Sequence, residues 1–214
     1  MNHLIITGGS GGLGKAIVEV FTAASWRIAA PVRAELDLTD PAAVRSYFKS
    51  RPVDLLVCSA GITRDAPLAR SDETSWDEVL AVNYQAVAAC AAAVLPAMMG
   101  QGGGHIVFIS SRSALHPPSG QVAYATAKAG LLGLTASLAA ANGRHGIRVN
   151  TILPGFLETR MTESVSAKRK TEVLGEHVLG SFNTPSAVAK FIRHLHEDLP
   201  HTSGQVFQLD SRIS

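Results

Sequence analysis

Tyr124 and Lys128 stand four residues apart in Tyr124-Ala125-Thr126-Ala127-Lys128. On a helix this spacing puts both side chains on one face. An ammonium beside a phenol favours the phenolate and lowers a pKa that is ordinarily ~10. A tyrosine tuned in this way can give or take a proton near neutral pH. Alone, such a pair is ordinary surface decoration. It gains weight from Ser111, a hydroxyl 13 residues upstream at the end of an apolar run.

It gains more from Thr7-Gly8-Gly9-Ser10-Gly11-Gly12-Leu13-Gly14, which follows the apolar run Leu4-Ile5-Ile6 and opens a helical pattern. Glycine permits a tight turn and close backbone approach to a pyrophosphate, and the helix N-terminus then offers free N–H groups to the anion. Lys15 follows, but the Gly-Lys-Ser/Thr of a nucleoside-triphosphate loop does not occur.

These groups need a scaffold, and short apolar runs alternate with helical stretches to supply one. Strands are expected at Leu4–Ile6, Arg27–Val32, Glu35–Leu38, Asp54–Cys58, Ile106–Ser110, Arg148–Leu153 and Gln205–Leu209. Helices are expected at Lys15–Ala24, Pro41–Ser50 (capped by Asp40), 74–99, Val122–Asn142 and Ser186–Glu197. The unbroken apolar strands imply a parallel sheet covered on both faces, an α/β Rossmann-like doubly wound fold of about seven strands. Between Val32 and Leu36 only three residues remain for a crossover that normally needs a dozen or more. Either the helix between strands 2 and 3 is missing, or one strand is misread.

The 214 residues fit a single domain, 1–214. A composition 46% hydrophobic and 17% charged, against ~25% in an average domain, excludes disorder and points toward a homo-oligomer. A net charge of +2 without a basic stripe gives no support for nucleic acid. Cys58 and Cys90 read as buried thiols, and the scattered histidines leave no metal site. The longest apolar run, Ala86–Met99, has 14 residues and falls short of a membrane span, so a cytoplasmic location is expected.

Taken together, the motifs resemble the short-chain dehydrogenase/reductase family over the whole chain. Thr7, Gly8, Gly12 and Gly14 match its glycine pattern, and Cys58-Ser59-Ala60-Gly61 stands where it has Asn-Asn-Ala-Gly. Asn83, Ser111, Tyr124 and Lys128 match its catalytic residues, and Arg148-Val149-Asn150 and Pro154-Gly155-x-x-x-Thr159 follow in order. Ala60–Asp65, Gly120–Leu131 and Pro154–Thr162 are similar, more narrowly, to 3-oxoacyl-(acyl-carrier-protein) reductases.

The resemblance implies hydride transfer from NADPH, with NADH as the alternative, to a 3-oxoacyl thioester. Tyr124 would protonate the carbonyl oxygen and Ser111 would hold it. Lys128 would bind the ribose and lower the Tyr124 pKa, and Asn83 would hold a water on the proton path. Gly8, Ser10, Gly12, Leu13, Gly14, Arg33, Asp37, Leu38, Ala60, Gly61, Pro154, Gly155, Leu157 and Thr159 would complete the cofactor site with Tyr124 and Lys128. No acidic residue ends the second strand and Arg33 lies nearest that point, which favours NADPH. Ser110 and Ser113 are expected as structural hydrogen-bonders. Lys168-Arg169-Lys170, with Arg112 and Arg160, could dock an acidic carrier protein. A homodimer or homotetramer is implied. Two other readings remain: a dehydrogenase of another secondary alcohol, and a non-catalytic nucleotide-binding protein.

Overall fold

The computed structural model describes residues 1–49 and 51–213. Ser50, the expected end of the second helix, and Ser214 lie outside them. Six parallel strands form one sheet: β1 (His3–Thr7), β2 (Arg27–Ala29), β3 (Leu55–Cys58), β4 (Gly104–Ile109), β5 (Ile147–Leu153) and β6 (Val206–Gln208), in the order β2-β1-β3-β4-β5-β6. The chain leaves β1 toward one edge and returns on its other side with β3. That reversal opens a crevice at the carboxyl ends of the strands, where doubly wound sheets bind ligands.

Strand alternation sorts the core into two layers. Ile5, Leu56, Ile106, Phe108 and Val149 face α2 (Pro41–Phe48), α4 (Ala86–Gly100) and α5 (Val122–Asn142). Leu4, Ile6, Leu55, Val57, Val107 and Ile152 face α1 (Gly12–Ala23) and α7 (Pro185–Glu197). Both faces are covered, which is why the strands carry no polar alternation. α2 begins as its residues dictate, with Pro41 at its first position and Asp40 Oδ1 accepting from Ala42 N at 2.8 Å.

The expected strand at Glu35–Leu38 does not form, so the described sheet has six strands rather than about seven. Val32 O accepts from Glu35 N and Leu36 N, and Glu35 Oε2 accepts from Val32 N. Three residues cannot cross a sheet, so the segment closes on itself as a turn. With that strand gone, α2 carries the crossover from β2 to β3, and β2 becomes the edge.

The helical stretch after β3 runs from α3 (Glu73–Leu80) through one π-helical turn, Ala81–Gln85, into α4. Glu73–Gly100 and Val122–His145 are long and apolar enough to cross a membrane, but α4 and α5 contribute to the core beside the sheet. α6 (Ala167–Gly175) forms in a polar section where no helix was expected.

Candidate active site

The glycine loop leaves β1 at its carboxyl end. Gly8 has φ +74°, and a Cβ there would lie 2.6 Å from Ala60 N, so this turn and its contact with the loop after β3 require glycine. A Cβ on Gly14 would run into the Gly8 carbonyl. Gly12 lies against Thr159, whose Cγ2 would sit 2.6 Å from an added Cβ. No side chain caps α1, which leaves its first N–H groups available to an anion. A cradle that glycine alone can form, beneath an uncapped helix, fits a dinucleotide pyrophosphate. Ser10 is exposed and Leu13 half-buried at its rim.

Leu38 lines a small void together with Thr7 and Ala60, which brings the 30–40 turn beside this loop. Asp37 Oδ1 accepts from Thr39 N and Oγ1, bonds that hold its carboxyl below its ordinary value. Arg33 is exposed on the same turn.

The π turn places Asn83 in the interior, fully buried. Its Nδ2 donates to Ile62 O and Val79 O, both at 2.9 Å, and its Oδ1 accepts from Ile62 N at 3.2 Å. The side chain therefore pins the Ala60–Ile62 loop to the helix. A Cβ on Gly61 would lie 2.7 Å from Asn83 Oδ1 and 3.6 Å from Lys128 Nζ, so the three residues converge. Cys58 lies buried in the same region, its thiol pushed up by the neighbouring Cys90 and by burial.

β4 ends beside the start of α5. Ser110 Oγ donates to Lys128 O at 2.8 Å and ties the two together, the structural role expected of it. Lys128 is 4% exposed and donates from Nζ to Ile109 O at 2.8 Å. Burial brings its pKa down to about 8. Its ammonium stands 5.6 Å from the Tyr124 ring centroid.

Tyr124 is half-buried, and its phenol is desolvated. Enclosure pushes the phenol up to about 12; Ser111 opposes this by hydrogen bonding, and the Asp65 charge adds to it. The expected lowering by Lys128 does not enter this balance. Desolvation disfavours the phenolate, while the lysine directs its nitrogen to a carbonyl. Ser111, Tyr124, Lys128 and Asn83 thus gather at one end of the sheet.

Pro154-Gly155 follows β5. Asn183 Nδ2 donates to Pro154 O at 3.1 Å and to Leu209 O at 2.6 Å, holding this loop against the end of β6. Leu157 is buried and bridges to Asn183. Asn183 carries no motif of its own, and only its two carbonyl partners reveal its task. Arg148 and Asn150 serve the opposite end: Arg148 donates to Leu195 O, His196 O and Leu199 O, and Asn150 to Thr202 O. A cleft of about 730 Å³ also lies there, lined by Asp54, Arg148 and His196, far from the candidate catalytic groups.

The short chain dehydrogenase family model matches residues 32–170. The chain is 40% identical over 162 residues to a 3-oxoacyl-[acyl-carrier-protein] reductase of Thermotoga maritima, covering 75% of this chain and 66% of that one. It is 32% identical over 217 residues to the Escherichia coli reductase of the same name, covering 91% and 89%. A (3R)-3-hydroxyacyl-CoA dehydrogenase of Canis lupus familiaris is 38% identical over 178 residues, covering 79% and 69%. Among solved structures, an oxidoreductase of Burkholderia thailandensis superposes with a TM-score of 0.89 at 30% identity, covering 98% of this chain and 91% of its own.

Proposed function

The chain belongs to the short-chain dehydrogenase family, whose members include oxidoreductases acting on CH–OH groups with NAD(P)H, and from that premise we propose that it uses NADPH to reduce a carrier-bound 3-oxoacyl thioester to the 3-hydroxyacyl thioester. The observation that carries this reading is the convergence of Asn83, Ser111, Tyr124 and Lys128 beside the glycine cradle. The names of the reductase relatives support the substrate class.

Gly8, Gly12, Leu13, Gly14, Ala60, Gly61, Pro154, Gly155, Leu157 and Thr159 would hold the cofactor. The bound nicotinamide supplies the hydride. Tyr124 gives its phenolic proton to the carbonyl oxygen, and a phenol held protonated is suited to that direction. Ser111 donates to the same oxygen and fixes its position. Lys128, its pKa brought down to about 8, can pass a proton on toward Tyr124.

NADPH rather than NADH is supported by the 30–40 turn. Arg33 is exposed on this turn and makes no ion pair with Asp37, whose Oδ1 is taken by Thr39, so its guanidinium is open to a 2′-phosphate. Lys168 and Arg169, exposed on α6, and Arg160, exposed before it, are the docking groups for an acidic carrier. Arg112, the further docking candidate, is half-buried and less open to a carrier than these three. Small exposed residues on α4 and α5, among them Ala92, Ala136 and Ala140, would pair copies as a dimer or tetramer.

NADPH oxidation with an acetoacetyl thioester tests the reading. Tyr124→Phe should lower turnover by about 10²–10⁴; near-normal turnover would overturn the assignment. The likeness to a hydroxyacyl-CoA dehydrogenase favours, as a second reading, the same bond on a coenzyme A thioester.

A further inference from the structure

Ser111 does not stand alone. Asp65 Oδ2 accepts from Gln121 Nε2 at 2.7 Å, Gln121 Oε1 accepts from Ser113 Oγ at 2.9 Å, and the Ser111 and Ser113 hydroxyls meet at 3.2 Å. Ser113 N also donates to Ser111 Oγ at 3.2 Å. A second tie, Ala66 N to Gly120 O at 2.9 Å, braces the loop of Asp65 against the loop of Gln121. These residues come from three segments: the loop after β3, the turn after β4 and the residue that precedes α5.

The donor and acceptor inventory forces one direction along this chain. An ionised Asp65 can only accept, so the Gln121 amide must turn its NH2 group outward. Gln121 Oε1 then faces Ser113, whose hydroxyl must donate to it. Ser113 Oγ is left with lone pairs, which take the Ser111 proton. The Ser111 proton is thus held toward Ser113, and it can stabilise a Tyr124 phenolate by hydrogen bonding only by leaving Ser113.

We propose that Asp65, Gln121 and Ser113 are positioning residues that set the direction of the Ser111 hydroxyl and so keep Tyr124 in its protonated, proton-donating form. The inference rests on the reading of Tyr124 as the acid. When a carbonyl oxygen arrives, the Ser111 O–H rotates from Ser113 to that oxygen. Ser113 N–H keeps Ser111 Oγ in place throughout, so the switch costs one long hydrogen bond and no movement of the oxygen. The charged groups near Tyr124 are the Asp65 carboxylate, on the loop after β3, and the Lys128 ammonium, 5.6 Å from the ring centroid and one turn along α5.

The test is a titration of the whole enzyme labelled with ¹³Cζ-tyrosine, the Tyr124 resonance being assigned with Tyr124→Phe. In Asp65→Asn, Gln121→Leu and Ser113→Ala the onset of Tyr124 ionisation should move to lower pH, while Ser113→Thr, which keeps the hydroxyl, should titrate like the parent. Asp65→Asn should also shift the resonance less in a Ser113→Ala background than in the parent. The same three variants should lose about fivefold to tenfold in kcat for ketone reduction, the weight of one hydrogen bond, at little change in KM. A Ser113→Ala titration superimposable on the parent would overturn the relay. So would equal shifts from Asp65→Asn in both backgrounds, because the charge would then act through space alone. The titration needs no substrate. A parent enzyme that leaves acetoacetyl thioester unreduced therefore refutes the substrate reading and not the relay.

Discussion

Replacing Lys128 by methionine should abolish reduction and yet stabilise the protein at neutral pH. The folded chain holds this lysine 4% exposed, with a pKa of about 8 against an ordinary 10.5. Below pH 8 both folded and unfolded states carry the charge, and the folded state bears the full cost of burying it. At 1.36 kcal/mol per pH unit that cost is about 3 kcal/mol. Methionine removes it but leaves Ile109 O without its donor, a loss of about 1 kcal/mol. The net gain of roughly 2 kcal/mol should raise Tm by about 4–8 °C for a chain of this size. The sign then reverses with pH. Between pH 8 and 10.5 the folded lysine has lost its proton and the unfolded one has not. The parent therefore gains stability as pH rises through that window, and the gain is complete above 10.5. Near pH 10.5 the methionine variant should be the less stable, by about the lost hydrogen bond. Urea unfolding of both proteins at pH 7 and pH 10.5 measures the difference, and other titrating groups cancel in it. A variant less stable than the parent at pH 7, or a difference that does not change with pH, would refute the reasoning.

Gly8→Ala should cost about 1–3 kcal/mol, through its positive φ and its contact with Ala60 N, and weaken dinucleotide binding in fluorescence titration. Asn83→Ala leaves the Ile62 N–H and carbonyl without the partners Asn83 gives them, and thermal unfolding should register a loss of about 2–4 kcal/mol. Asn183→Ala should loosen the Pro154 loop, raising the KM for cofactor several-fold while kcat changes little, as steady-state kinetics will show.

Much of this architecture was legible in the residues themselves. The apolar runs announced five of the six strands within a residue or two, because a strand buried on both faces has no polar alternation to obscure it. The sixth, β2, was drawn too long, since Ala30, Pro31 and Val32 are apolar but lie beyond its last paired residue. The failure at Glu35–Leu38 has the same origin. Leu36 is apolar because it caps the core and is 4% exposed, and burial in a turn leaves the same local pattern as burial in a strand.

The spacing of Tyr124 and Lys128, the glycines after β1 and the order of the motifs were properties of the sequence alone, because helical period and backbone freedom are local. What only the tertiary structure decided was the environment of those groups. The Tyr124 phenol is pushed up rather than down, Lys128 turns to Ile109 O, and Ser111 is bound into a chain that ends at Asp65. Asn183, with no motif to mark it, clasps two loops that are 55 residues apart in sequence, at Pro154 and Leu209. Desolvation and long-range hydrogen bonds depend on which segments meet, and that is settled only when the whole sheet has closed around them.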